Sequence, residues 1–300
     1  MSRLPKPFID RLEAQFGKPA TDGILAAFKD PRRPTFRANA LKIADDELMR
    51  LLREDGIQFE RVKDVPHAFA AKNRTSPELL ESYLAEQGKI YLQGIASMMP
   101  ALVLDPKPGE TVLDLCAAPG SKATQMAAMM EGRGRLVAVE EDPVRFQKLQ
   151  NTVWIQGAKS VEARHADSTL LYHEEPQTYD KALADVPCSA EGRITLRDAR
   201  SYSFWSQKNI TIHAKLQRRL LRSAARCLKP GGTLVYSTCT LAPEENEEQV
   251  AWFRTEFPEF APVDFDLPLS AVRRPGKGMA VVLPTKEHEG FFVAKLRKAA

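Results

Sequence analysis

Two short segments each deliver a cysteine where an apolar run gives out: Ala184-Asp-Val-Pro-Cys188 and Tyr236-Ser-Thr-Cys239. A free thiol is a weak nucleophile until its pKa falls, which a nearby cation or helix N-terminus can bring about. A cysteine that only fills core space sits more naturally inside a strand, as Leu234 does, so two thiols at strand ends favour chemistry over packing. Pro187 forces Val186 to be extended, which aims Asp185 and Cys188 in set directions.

A third cysteine lies in the stretch Thr111-Val-Leu-Asp-Leu-Cys-Ala-Ala-Pro-Gly-Ser-Lys122. This reads as strand, tight turn and helix start, and such a turn leaves helix N–H groups free to hold a polar or anionic ligand. Ala117, Ala118 and Gly120, around Pro119, let that ligand touch backbone. The next apolar run, Arg135-Leu-Val-Ala-Val-Glu140, ends in an acid about 20 residues beyond Gly120, where nucleotide-binding α/β folds place a ribose-hydroxyl acceptor. No G-x-G-x-x-G is present, so a nucleoside suits the site better than a dinucleotide. The competing reading of this stretch alone is an ordinary strand-to-helix turn of an α/β protein.

The elements that must position these groups alternate. Strands are expected at Val112 to Leu115, Leu136 to Val139, Ser160 to Ala163, Lys181 to Ala184, Thr233 to Tyr236, Ala280 to Leu283 and Phe291 to Leu296. Helices follow Gly120, Pro143 and Ile210, and Pro243 opens another, which predicts a mostly parallel sheet covered on both faces. In the helix from Ile210, Ile212, Leu216, Leu220, Ala224 and Leu228 form a stripe expected to pack on the sheet, and Lys229-Pro-Gly-Gly232 stops it. Upstream, Phe8 to Phe28 suggests two short helices broken over Gly17 to Gly23, Thr35 to Leu41 a strand, Asp45 to Glu54 a helix capped by Asp45 or Asp46, and Phe59 to Val62 another strand. A small α+β lobe over residues 1–85 thus precedes an α/β domain over 86–300.

With 43% apolar residues the chain can bury a sizeable core. No apolar run approaches the roughly 20 residues that span a bilayer, and the opening Met1-Ser-Arg-Leu-Pro-Lys6 lacks a secretion signal, so a cytoplasmic, membrane-free protein is expected. The four cysteines form no C-x-x-C pair and have no nearby His cluster, which points to neither a disulfide framework nor a metal site. A net charge of +4 is too small to prove a nucleic-acid partner, but from Arg193 to Pro230 ten Lys or Arg face the single acid Asp198. Arg32, Arg33 and Arg37 form a second basic cluster. Solvated helix faces also collect such charges.

Taken together, Asp114-Leu-Cys-Ala-Ala-Pro-Gly-Ser-Lys122, Asp185-Val-Pro-Cys-Ser-Ala-Glu-Gly192 and Tyr236-Ser-Thr-Cys-Thr-Leu-Ala-Pro-Glu-Glu-Asn-Glu247 resemble the motifs of the NOL1/NOP2/Sun (RsmB/NOP) family of RNA cytosine-C5 methyltransferases. The ending Gly290-Phe-Phe-Val-Ala-Lys-Leu-Arg-Lys298, the segment Phe36-Arg-Ala-Asn-Ala-Leu-Lys42 and the Gln93 and Ala96-Ser97 positions are similar too. The resemblance implies a Rossmann-like, seven-stranded class I methyltransferase sheet behind a small N-terminal RNA-binding lobe. It implies S-adenosylmethionine as methyl donor, held by Cys116, Ala117, Ala118, Pro119, Gly120 and Lys122, with Glu140 on the ribose, Arg145 behind it, Asp167 facing the adenine and Asp185 near both methionine and target base. It further implies that Cys239 attacks C6 of cytosine, that Cys188 assists resolution of the adduct, and that Arg37 and Asn39 serve RNA binding.

C5 of cytosine is too poor a nucleophile to take a methyl group without prior addition at C6, which explains the need for a thiol. A stacked cytosine cannot be attacked there, so the target must be unpaired or flipped. Arg193, Arg197, Arg200 and Trp205, bases interleaved with an aromatic, suit a single-stranded RNA path, although Trp205 fits a core position equally well. The expected substrate is ribosomal or transfer RNA and the expected state a monomer. Three departures from the family pattern stand out: Gly94 where relatives usually carry an acid, Ala190 where glycine is usual, and Val186 where alanine is common. No further domain follows Lys298 in this sequence, which leaves substrate choice to the lobe and the basic segment. Two other functions fit less well: DNA cytosine methylation, in which Cys188 would be the nucleophile and Cys239 idle, and a non-catalytic RNA-binding or assembly protein that retains the cofactor fold.

Overall fold

In a computed structural model of the chain, residues 4–300 are described, so the first residues of the stretch read for a secretion signal lie outside it. Proline and glycine punctuate the start: Pro5 precedes α1 (Lys6–Phe16), and Gly17, at φ 77°, separates it from α2 (Lys18–Ala27). The break is this one glycine; Gly23 lies inside α2. Then follow β1 (Thr35–Ala38), α3 (Asp45–Glu54), β2 (Phe59–Arg61), β3 (Ala68–Ala71), α4 (Ser76–Leu80), α5 (Tyr83–Glu86) and β4 (Ile90–Leu92). The strands form an antiparallel sheet in the order β2-β3-β1-β4. Neither Asp45 nor Asp46 caps α3; both lie in its first turn, and Asp45 pairs with Arg61 and His67 instead.

Two contacts cross the expected boundary near residue 85. Strand β4 belongs to the small sheet. Helices α1 and α2, by contrast, bury Phe8, Leu12, Ile24 and Phe28 in the core of the larger sheet.

The larger unit comprises α6 (Ile95–Leu104), β5 (Thr111–Asp114), α7 (Ser121–Met129), β6 (Arg135–Glu140), α8 (Pro143–Gln156), β7 (Val161–His165), β8 (Tyr179–Asp185), α9 (Gln207–Cys227), β9 (Leu228–Thr238), α10 (Glu247–Glu256), β10 (Phe260–Pro262), β11 (Val272–Arg273), β12 (Met279–Val282) and β13 (Phe291–Lys298). All seven expected strands form. Short β10 and β11 extend the sheet to nine, ordered β11-β12-β13-β9-β8-β5-β6-β7 with β10 beside β13. Strands β5 to β9 run parallel, while β12 and β13 are antiparallel additions.

Alternation along each strand feeds two cores. Val137 and Val139 pack on the α9 side and Leu136 and Ala138 on the α7 side, as a sheet covered on both faces requires. On α9 the buried set is Ile210, Leu220, Leu221, Ala224, Ala225 and Cys227, whereas Ile212 is 55% exposed. A strict spacing of four drifts around a 3.6-residue turn, so Ile212 falls off the stripe. The helix ends at Cys227, and Lys229-Pro-Gly-Gly232 is already part of β9. The bases of α9 serve packing: Arg218 and Arg222 lie over Trp252, and Arg226 lies over Tyr172.

Candidate active site

Because β5 pairs with β6 on one side and β8 on the other, the chain reverses direction at β5, and a crevice opens beyond the strand ends. The Cys116–Gly120 turn fills it. Gly120 is the N-cap of α7 at φ 107°, where a Cβ would come within 3.0 Å of Thr152, so only glycine suits this turn. A cavity of about 450 Å³ is lined here by the cradle and by Asp185, Cys188 and Cys239. That volume suits a nucleoside-sized ligand. A smaller cavity holding Glu140 and Asp167 adjoins it through Cys116, Arg145 and Pro187.

The acids of the cradle fit a nucleoside donor. Glu140 is 3% exposed, and its Oε2 accepts no hydrogen bond although Arg145 Nη1 stands 3.3 Å away. A buried carboxylate oxygen left this way needs a donor, and a ribose hydroxyl supplies one. Arg145 also donates to the Ala118 carbonyl at 2.9 Å and braces the turn. Asp167 accepts from the Thr169 N–H at 2.8 Å. Neither carboxylate oxygen of buried Asp114 has a hydrogen-bond partner, and burial, reinforced by the charge on Asp185, pushes its pKa up to about 7.

Lys122 sits between the cradle and the thiols. Its ammonium lies 2.7 Å from Asp185 and donates to Ser97 Oγ at 2.9 Å, so it holds the carboxylate in place and has less to offer the donor than expected. Although burial opposes it, the Asp185 charge raises the Lys122 pKa. Asp185 also accepts from Ser237 Oγ at 2.7 Å.

The two sulfurs meet. Cys188 Sγ lies 3.2 Å from Cys239 Sγ, and the Cys239 backbone N–H donates to Cys188 Sγ at 3.3 Å. The hydrogen bond from Cys188 holds the Cys239 thiol below its ordinary value, with Arg193 and Lys122 adding to it against burial. That same bond, together with burial, pushes Cys188 well up. The two thiols are therefore driven apart, Cys239 toward the thiolate and Cys188 toward the thiol. Arg193, expected on an RNA path, instead lines the cavity; the Cys239 thiolate is the largest influence raising its own pKa.

Positioning residues that sequence reasoning passed over lie in the Pro243-Glu-Glu-Asn246 turn. Glu245, fully buried, accepts from the Ser189 N–H at 3.0 Å and from Gln217 Nε2 at 2.9 Å, and also from the Ser189 hydroxyl, which pins the loop carrying Cys188. Burial raises its pKa to about 7. Asn246 accepts from Thr238 Oγ1 at 2.6 Å and donates to the Thr240 carbonyl at 3.1 Å, bracketing Cys239. The detectable signal was a cluster of acids followed by an amide right after a strand end. Ala190, where glycine is usual, takes a left-handed φ of 58°.

Other expected RNA contacts are placed differently. Arg37 is 3% exposed and donates to Gln93 Oε1 (3.0 Å), Thr124 Oγ1 (2.6 Å) and the Ser121 carbonyl (3.3 Å), while fully buried Asn39 donates to the carbonyls of Gly88 and Gln156. Their donors are spent on tying the lobe to α7 and α8, so neither reaches an RNA from here. Trp205 is a packing residue, edge-on to Phe8 and hydrogen-bonded to Glu191 at 2.7 Å. Arg197 and Arg200 are exposed, the latter gripping Asp198, and Phe204 beside them is 76% exposed. Among the described residues no cluster suits a metal ion, and no helix is long and apolar enough to cross a membrane.

The parallel sheet, the switch-point cradle and the acid at the end of β6 define an α/β protein with the class I S-adenosylmethionine-dependent methyltransferase fold. Within that class the chain belongs to the 16S rRNA methyltransferase RsmB/F family, whose model matches residues 101–297; an RsmF/B-like ferredoxin-like domain matches residues 4–76. The chain is 35% identical over its whole length to ribosomal RNA small subunit methyltransferase F of Pectobacterium carotovorum, and 37% identical over 99% of its length to that of Cronobacter sakazakii. It spans 63% and 64% of those relatives, a little under two thirds. A crystal structure of a methyltransferase homologue from Pyrococcus horikoshii superposes at a TM-score of 0.85 with 32% identity, covering 98% of this chain and 95% of that one. NSun6 from the same organism, crystallised with SFG, shares the fold at a TM-score of 0.86 and 24% identity, covering 99% and 98%.

Proposed function

We propose that this chain methylates C5 of a cytosine in small-subunit ribosomal RNA through a covalent bond between Cys239 and C6. The observation that carries the reading is the thiol pair: one sulfur disposed to be an anion, its partner 3.2 Å away keeping the proton, both on the wall of the cavity that contains the cradle. The substrate class rests on the relatives, which are named as ribosomal RNA small subunit methyltransferases. When bound against Cys116–Gly120 and Glu140, S-adenosylmethionine supplies an electrophilic methyl group.

The chain's own residues supply the rest. Cys239 as thiolate forms an S–C6 bond, and the electrons of the C5–C6 double bond move toward C4 and N3, which leaves C5 electron-rich. Asp185, held by the Lys122 ammonium 2.7 Å away, stands at the cavity wall where the pair can hydrogen-bond N3 and so stabilise the charge that addition creates. After methylation C5 must lose its proton before the S–C6 bond breaks and returns the Cys239 thiolate. Once Cys239 is bonded to carbon, the anion that raised the Cys188 pKa is gone; Cys188 then releases its proton to solvent and, as a thiolate, takes the C5 proton in this step.

The same asymmetry disfavours Cys188 as the first nucleophile, which the DNA-type reaction would need. The test is incubation with methyl-labelled donor and small-subunit ribosomal RNA, followed by digestion to nucleosides. Label in 5-methylcytidine is the expected result; a folded protein that leaves none in RNA overturns the reading.

A further inference from the structure

One acid in the cavity has no task. Glu289, in the turn before β13, lines the same cavity as Cys188, Cys239 and Asp185. Of the other cavity acids, Asp185 is taken by Lys122 and Ser237, and Asp114, at 1% exposure, lies too deep to present its carboxylate as Glu289 does. Among the described residues Glu289 makes neither a hydrogen bond nor an ion pair through its carboxylate. It is half-buried and interacts electrostatically with Arg193 and Arg32.

Its place is made by Gly94. A Cβ built on Gly94 would lie 2.3 Å from Glu289 Oε1 and 2.6 Å from Oε2, so the carboxylate fills the volume that a side chain at 94 would need.

A pyrimidine held with C6 at Cys239 offers one feature that separates cytosine from uracil and pairs with an acceptor: the two donors of its 4-amino group. Uracil presents lone pairs at that atom, and a carboxylate facing them is repelled. We propose that Glu289 accepts a hydrogen bond from the 4-amino group of the target cytosine and thereby sets the preference for cytosine over uracil. This assignment rests on the reading that the cavity receives a cytosine.

The test uses the full chain and an RNA oligonucleotide centred on the cytosine that the wild type methylates, prepared with cytosine, with uracil, or with 2-pyrimidinone, a cytosine without its amine. Glu289→Ala should lower kcat/KM on cytosine by about 10- to 100-fold, the worth of a hydrogen bond to a charged group, and leave 2-pyrimidinone within about threefold of wild type. Its discrimination against uracil should shrink. Glu289→Gln keeps an acceptor oxygen and should fall between. An equal loss on cytosine and 2-pyrimidinone would mark a merely structural role and overturn the proposal, as would no loss on cytosine. A wild type that modifies no cytosine at all would instead fail the underlying reading, and this assignment with it.

Discussion

The backbone N–H of Cys239 donates to the sulfur of Cys188 at 3.3 Å, across 51 residues of chain. Two strand ends, β8 and β9, are thereby locked in register with their thiols in contact. The contact breaks the symmetry of two identical groups: it lowers the pKa of Cys239 and raises that of Cys188.

Replacing either sulfur should give opposite phenotypes. Cys239→Ala should abolish methylation and covalent RNA capture. Cys188→Ala should methylate poorly but accumulate a protein–RNA complex that survives denaturing electrophoresis. A complex trapped by Cys239→Ala instead would reverse the roles.

The rate of adduct formation should depend on pH through Cys239. Its thiolate is the reactive form and its pKa is held low, so the rate should rise with pH and level off below the range of an ordinary thiol. Arg193→Ala removes a cation that favours the thiolate and should move the midpoint of the pH–rate profile upward. Single-turnover adduct rates between pH 6 and 9 measure this.

Arginines that look alike in the sequence should behave differently. Arg37→Ala strands Gln93 and Thr124 in the lobe interface and should cost about 2–3 kcal/mol of stability in denaturant melts. Arg197→Ala and Arg200→Ala lie at the surface and should change stability by less than about 0.5 kcal/mol, yet each should reduce the salt slope of RNA binding by about 1.

Two buried acids predict how stability changes with pH. Asp114 and Glu245 each titrate near 7 in the fold, above their unfolded values, so the native state binds more protons than the unfolded chain between about pH 4 and 7. Stability from these groups is therefore greatest at low pH and falls as pH rises, by at most about 1.4 kcal/mol per pH unit for each. Asp114→Asn should flatten the decline in melting temperature between pH 5 and 7. An unchanged profile would place the Asp114 proton elsewhere.

Local order carried much of the architecture. Strands β5, β6, β8, β9 and β13 announce themselves as apolar runs bounded by Gly, Pro or acids, and the motifs around Cys116, Cys188 and Cys239 stand at their ends, where a parallel sheet gathers its ligands. Short elements escaped: β3 is four residues of alanine and phenylalanine, without a period long enough to read.

What the amino-acid order determined by itself was therefore the fold class, the cradle turn and the placing of two cysteines at strand ends, because these depend on residue types within one strand and its turn. Tertiary structure alone decided that the two thiols touch, that Arg37 and Asn39 are spent inside the lobe interface, that Arg193 faces Cys239, and that Glu289 enters the space left by Gly94. Each of those depends on a contact between residues far apart in the chain. Charge and exposure at a side chain are set by such neighbours, which no local pattern encodes.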